Sequence, residues 1–513
     1  MLPNSSEPFE IEEATIADLQ QAIRTRKISC VELIQQYLNR IHKYEFRLNS
    51  ITYLNPKALQ IATELDRKFA AGEPMGPLFS VPILLKDNIN TFDMPTTNGS
   101  IILKDAVPTE DAYITANLRQ AGAVILGKAS MGEFANNDYN TIDGVVTNAY
   151  SRLRSTSGSS SGCAAALTAN LALLAVGTDT SSSIRGPAAF AGLVGLRPTT
   201  GLWSRSGIAP KSPLFDTAGP MARNVTDLAA LLGAGAGRDE ADPMNVAVYN
   251  THPAGEINYT ESLDADALKG ARLGLVHNFL KGDPEVEAMM NNAIEVIGNL
   301  GATIVDIYLD TDFLRFNIVN GAQNLRVPAD ADFKKNFEDY LSTYFGPHVP
   351  KTVAEFVDIY RATTTVSRKP VEQRILDLLE TSLKMNANNL SHFHLVNDML
   401  PAASTYKKSL FDKNRVGALI YPTSTSFPPP INTPVLKTKD PTYIPPEISS
   451  FIFASYSSIG NPDITVPMGL GTAGLPAGIS FMGRPYDEAT ILGFAYAFEQ
   501  ATNLRVPPDL SEL

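Results

Sequence analysis

Short, fully apolar runs alternate with helix-length segments along this chain, and that alternation limits the possible folds more than any other feature. Val81-Pro-Ile-Leu-Leu85, Ala123-Val-Ile-Leu126 and Leu173-Leu-Ala-Val176 are apolar throughout. A strand with one wet face would alternate polar and apolar residues, so these runs predict strands buried on both faces. Between them, residues 111–121 and Ala164 to Ala172 read as helices. A second unit repeats the order: strand at Arg272 to Val276, helix at Asp283 to Leu300, strand at Ala302 to Ile307. Strand signals return at Ala418-Leu-Ile-Tyr421 and Ile464-Thr-Val466, before a last helix at Glu488 to Gln500. The pattern predicts an α/β sheet covered by helices on both faces.

The flanking segments read differently. Thr15 with Asp18, and Ser29 with Glu32, have the spacing of helix capping boxes. Ile34, Tyr37, Leu38 and Ile41 then share one helix face. Residues 325–400 are mostly helical and more polar, and predict an insertion or lid. Residues 427–446, with Phe427-Pro-Pro-Pro430 and Pro445-Pro446, predict an irregular loop.

Composition removes several function classes. With 513 residues the chain has room for roughly three domains, or for one large α/β unit with insertions. Its net charge of −12 argues against sequence-independent nucleic-acid binding, which needs clustered cations. Two cysteines exclude a disulfide scaffold and a Cys-rich metal site. No apolar run is long enough to span a membrane. The acidic start, Met1 to Glu12, lacks the features of a signal peptide, which predicts a cytoplasmic protein. No P-loop or dinucleotide fingerprint is present, and none of the six histidines sits in a nucleophile or metal motif.

Chemistry concentrates in two Ser-rich clusters. They are Ser155-Thr-Ser-Gly-Ser-Ser-Ser-Gly162 and Thr178-Asp-Thr-Ser-Ser-Ser-Ile-Arg185. Apolar runs on both sides set them apart from a flexible linker, so the hydroxyls need partners. Serine chemistry without histidine needs another base. Lys86, closing the run Val81 to Leu85, fits a lysine neutralised by burial; the alternative is a strand-end lysine reaching solvent.

The residues resemble the amidase signature family over roughly residues 10–505. Gly76 to Ile89 is similar to that family's catalytic-lysine segment, and Ser157-Gly-Ser-Ser-Ser-Gly-Cys163 to its Gly/Ser loop. Gly177 to Phe190, Gly192 to Thr199, Asp216 to Arg223, Asn461 to Pro467, and Gly483-Arg-Pro with Glu488 continue the likeness in order. The resemblance implies a three-layer α/β/α fold around a large twisted mixed sheet of about eleven strands. It implies a triad of Lys86, Ser159 preceded by a cis peptide, and the nucleophile Ser183. It further implies an oxyanion hole of the backbone N–H groups of Thr180, Ser181, Ser182 and Ser183. Asp179, Ser160 and Arg185 would support that loop, with no metal or organic cofactor.

The chain also departs from the family pattern. Ser181 and Ser182 replace the usual glycines, which would cost about 1 kcal/mol or more if those positions needed positive φ. Ser157 stands where glycine is common, and Cys163 where serine or alanine is common. We read Cys163 as a packing residue.

Within the family, Leu54 to Leu59, Lys86 to Asn90 and Ser159-Ser-Ser161 look most like peptide amidases. The implied substrate is a small-molecule or short-peptide amide; the sequence leaves the oligomeric state open between monomer and homodimer. Rival readings are the amidase-like component of a glutamyl-tRNA amidotransferase, a fatty-acid or aryl amide hydrolase, and a degenerate fold used for binding. The expected organisation is N-terminal helices at 1–75, a signature core at 76–324, a variable helical cover at 325–450, and a return to the core at 451–513.

Overall fold

A computed structural model describes residues 9–252, 258–310, 332–363, 369–385, 390–441, 443–445 and 460–512. Residues 325–331, 364–368, 386–389, 442 and 446–450 of the expected cover, including Pro446, lie outside the described residues, as do Met1 to Pro8 of the acidic start.

Eleven strands form one sheet: β1 (Ile51–Leu54), β2 (Pro82–Lys86), β3 (Val124–Ala129), β4 (Leu174–Asp179), β5 (Val194–Arg197), β6 (Thr217–Ala222), β7 (Arg272–Val276), β8 (Thr303–Ile307), β9 (Ala418–Pro422), β10 (Asp463–Leu470) and β11 (Pro476–Met482). Their order across the sheet is β1-β3-β2-β4-β6-β5-β10-β11-β9-β7-β8. Pairing is parallel for β2 with β3 and β4, and for β7 with β8 and β9; the remaining pairs are antiparallel. Strands β2, β3, β4, β6 and β9 are buried at every residue, so helices cover both faces, as the apolar runs predict. The number of strands matches the family expectation.

The predicted caps form. Thr15 and Asp18 close a capping box on α1 (Ile16–Arg24), and Ser29 and Glu32 close one on α2 (Cys30–Leu48). Each box satisfies two otherwise unpaired backbone donors. Two boundaries differ from the sequence reading. The strand expected to stop at Gly177 runs on to Asp179, because β6 pairs with it as far as Thr217 opposite Asp179. The helix expected at Ala164 to Ala172 is α3, Ser161–Thr168, and starts inside the serine cluster.

Helices α4 (Phe333–Tyr344), α5 (Val353–Thr363) and α6 (Gln373–Lys384) build a separate apolar cluster with Phe134. The Phe134 ring lies 6.2, 5.5 and 6.0 Å from those of Phe333, Phe337 and Phe356. Among the described residues, no helix is long and apolar enough to cross a membrane.

Close packing at the base of α3 gives a stability test. A Cβ on Gly162 would lie 2.3 Å from Ser130 O and 2.4 Å from Ser50 O, both backbone atoms that cannot step aside. Gly162→Ala should therefore lose at least about 3 kcal/mol, read as a lower urea midpoint. An unchanged midpoint would show that the two segments separate freely.

Candidate active site

Parallel pairing of β2 with β4 sets the site. Leu85 lies opposite Val176, so Lys86 and Thr178 finish side by side at the C-terminal ends of their strands. Such ends are where open α/β sheets place ligands. Lys86 is fully buried. Its Nζ lies 2.7 Å from Ser159 Oγ, 2.8 Å from Thr178 Oγ1 and 3.1 Å from Thr178 O. Burial lowers its pKa from 10.5 to about 7. Cys163, Asp179 and Asp216 oppose that shift, and Lys211 adds to it.

Ser159 comes from the loop before α3, where the Gly158–Ser159 peptide is cis. Gly158 is required by crowding, since a Cβ there would sit 1.7 Å from Asn137 O. The Gly132 N–H donates to Ser159 O at 3.1 Å, tying the loop to residues 132–137. Ser160 links the two serine clusters. Its N–H donates to Ser183 O at 3.2 Å, and its Oγ donates to Thr178 O at 3.2 Å. Ser183 lies at the end of the β4 turn and is buried.

A buried ionic network fixes that turn. Burial would raise the Asp179 pKa, but the Arg185 and Arg197 guanidiniums outweigh it and hold the carboxyl at about 2. Arg185 contacts Asp179 at 3.2 Å and Asp463 at 2.6 Å, and Arg197 contacts Asp179 at 3.1 Å. Tyr421 OH also donates to Asp463. Asp179 accepts the Ile184 N–H at 3.1 Å, while Arg185 donates to Ser181 O at 2.5 Å. Thr180 donates to Asp216 at 2.6 Å. Among the described residues, nothing accepts from the N–H groups of Ser182 or Ser183. The expected strain at Ser181 and Ser182 is absent, since neither has positive φ; it is Ser157 that does, at 65°.

The structure thus gathers Lys86, Ser159, Ser160, Asp179, Thr180, Ser181, Ser182, Ser183 and Arg185 in one place. Sequence reasoning assigned no role to Arg197, Asp463, Tyr421, Thr178 or Asn88. Arg197 closes the buried run Val194-Gly-Leu-Arg, the same signal that singled out Lys86. A cavity of about 430 Å³ opens beside the lysine, lined by Asn88, Thr178, Thr180, Asp216, Asp242 and Tyr340 among others. No cluster of potential metal ligands exists among the described residues.

Residues 32–492 match the model of the family described as Amidase. The chain belongs to the amidase family. It is 33% identical to a glutamyl-tRNA(Gln) amidotransferase subunit of Thermosynechococcus vestitus, over 95% of this chain and 98% of that protein. It is equally 33% identical to a putative amidase of Arthroderma benhamiae, over 95% of this chain and 81% of that protein. The solved peptide amidase of Stenotrophomonas maltophilia superposes with a TM-score of 0.87 at 35% identity, covering 98% of this chain and all 100% of that one. This amidase is therefore a hydrolase of the family, built on the family's α/β fold.

Both cysteines of the amidase are buried, and burial pushes each thiol up to about 12. A thiol in that state is a poor nucleophile. Thiol-alkylating reagents at neutral pH should leave native activity intact. Inactivation that tracks labelling of Cys163 would overturn its packing role.

Proposed function

We propose that this amidase hydrolyses a carboxamide through an acyl-enzyme on Ser183, with Lys86 as base and Ser159 as the bridge. The observation that carries this is the 2.7 Å contact between Lys86 Nζ and Ser159 Oγ, made by a lysine that burial brings to about 7. A neutral lysine has a lone pair to accept a proton, and the hydroxyl that would supply that proton is already in place.

Ser159 gives its hydroxyl proton to Lys86 and takes the Ser183 proton. Ser183 Oγ bonds the substrate carbonyl carbon, and the oxyanion points to the N–H groups of Ser182 and Ser183, with those of Thr180 and Ser181 beside them. Such donors stabilise the charge that develops there. The C–N bond then breaks as Ser159 returns a proton to nitrogen, resupplied by Lys86. Water repeats the sequence on the acyl-enzyme and releases the acid.

The substrate class we favour is the C-terminal amide of a short peptide. Support comes from the likeness to a solved peptide amidase over nearly the whole of both chains. The relatives described as amidotransferase subunits make glutamine the second substrate to test. The helices α4 to α6 would form the cover that selects among amides.

Ammonia release should be measured on an amidated dipeptide, glutamine, benzamide and a long-chain acyl amide. The amidated dipeptide should turn over best, and Ser183→Ala should cut turnover by about 10⁴-fold or more. Full turnover in that variant would remove Ser183 from its role. A preference for glutamine would replace the peptide reading.

The pH dependence follows from the base. Lys86 works when neutral, so activity should be low in acid and rise through about 7. Lys86→Ala should abolish turnover, and any residual rate should lack that limb. An unchanged limb in the variant would exclude Lys86 as base.

A further inference from the structure

Lys86 must hold one geometry through two protonation states. When neutral, its lone pair accepts from Ser159 Oγ–H, and its two N–H bonds go to Thr178 Oγ1 at 2.8 Å and Thr178 O at 3.1 Å. When charged, the third N–H faces Ser159 Oγ across the same 2.7 Å. Only protons move between these states. Besides Ser159, Thr178 supplies every hydrogen-bond acceptor that Lys86 has among the described residues.

Asn88 acts on the other side of the same hydroxyl. Its Nδ2 donates to Thr178 Oγ1 at 3.1 Å. Two donors now occupy the lone pairs of Thr178 Oγ1, which turns its own proton elsewhere. Asn88 Oδ1 is buried and has no protein partner among the described residues. Both residues line the 430 Å³ cavity.

We infer that Thr178 and Asn88 are a positioning pair for Lys86: the Asn88 amide orients the Thr178 hydroxyl, which holds the lysine nitrogen on Ser159 in both protonation states. This rests on Lys86 being the base. Groups facing Lys86 from other elements are Cys163 on α3, Asp179 at the end of β4, and Lys211 and Asp216 in the segment before β6. Asp179 is committed to Arg185 and Arg197, and the neighbouring Asp87 to Lys128 on β3. Besides Ser159, the Thr178 hydroxyl is left as the side-chain acceptor that favours the ammonium form directly, because a bond from a cation is stronger than one from an amine.

The test is the pH profile of kcat and KM for intact wild type, Thr178→Val, Thr178→Ser and Asn88→Leu, with circular dichroism as the fold check. Thr178→Val keeps shape and removes the acceptor. It should lower kcat by about 10²-fold with KM nearly unchanged, and move the acid limb to lower pH by about one unit. Thr178→Ser should restore both. Asn88→Leu should move the limb in the same direction by less. A folded Thr178→Val with reduced kcat and an unmoved limb would overturn the inference in favour of a merely structural role. Failure of Thr178→Ser to restore the limb would overturn it too. Should Thr178→Val not fold, Asn88→Leu decides: a shifted limb supports the pair and an unmoved one overturns it. A limb that survives in Lys86→Ala would instead sink the base assignment, a separate outcome.

Discussion

The site depends on the burial of one ammonium group without a carboxylate beside it. Lys86 has a close counterpart in Lys128, which lies across the β2–β3 pair from Leu85 and is just as buried. Both lysines end or interrupt apolar strands, yet their surroundings differ. Lys128 has Asp87 at 3.4 Å and the Thr96 hydroxyl at 2.7 Å, and burial lowers it only to about 8. Lys86 has hydroxyls and a carbonyl, and falls further, to about 7. Asp87 follows Lys86 directly in the chain, but alternation along the strand sends it to the other side. One pair of neighbouring residues thus puts a carboxylate against Lys128 and keeps it from Lys86.

The same separation of charge governs the turn that ends at Ser183. Two arginines and two aspartates, Arg185, Arg197, Asp179 and Asp463, are wholly buried around it. Buried ion pairs of this kind contribute little net stability, since desolvation offsets the attraction, but removing one partner strands the other. Their value here is geometric. Asp179 takes the Ile184 N–H and Arg185 takes the Ser181 carbonyl, so the backbone between them is held at both ends. Among the described residues, nothing accepts from the N–H groups of Ser182 or Ser183. Serine is tolerated in place of glycine because the turn does not need positive φ there.

Much of this was legible in the sequence, for reasons that individual residues show. Apolar runs gave β2, β3, β4 and β9, because strands buried on both faces leave an unbroken signature. Strand β6 was not legible: Thr217-Ala-Gly-Pro-Met-Ala has the Gly-Pro dipeptide of a turn. The structure accommodates Pro220 because β5 pairs with β6 only at Met221 and Ala222. In the site, Lys86 stood out as a lysine closing an apolar run, and the family resemblance supplied Ser159 and Ser183. Thr178 and Asn88 did not stand out, since a threonine at a strand end and an asparagine in a loop are ordinary. Their significance comes from the parallel register that sets β2 beside β4, which is a long-range fact. The positive φ at Ser157 was hidden for a similar reason, since it lies in a loop where Gly158 leaves no room for a Cβ beside Asn137 O.

The insertion helices meet this machinery at few and specific points. Phe134 is enclosed by rings from α4 and α5, while the backbone two residues before it holds Ser159 through Gly132. Tyr360 on α5 donates to the buried carboxyl of Glu133, which burial raises to about 8 and so keeps largely protonated at neutral pH. Tyr340 on α4 donates to Asn90 at 2.6 Å, four residues beyond Lys86. Each anchor reaches a loop beside Lys86 or Ser159 rather than either side chain itself. Helices attached in this way can change their outer surfaces without disturbing the distances between Lys86, Ser159 and Thr178. Those distances are set where β2 and β4 end side by side within the sheet, not on α4 to α6.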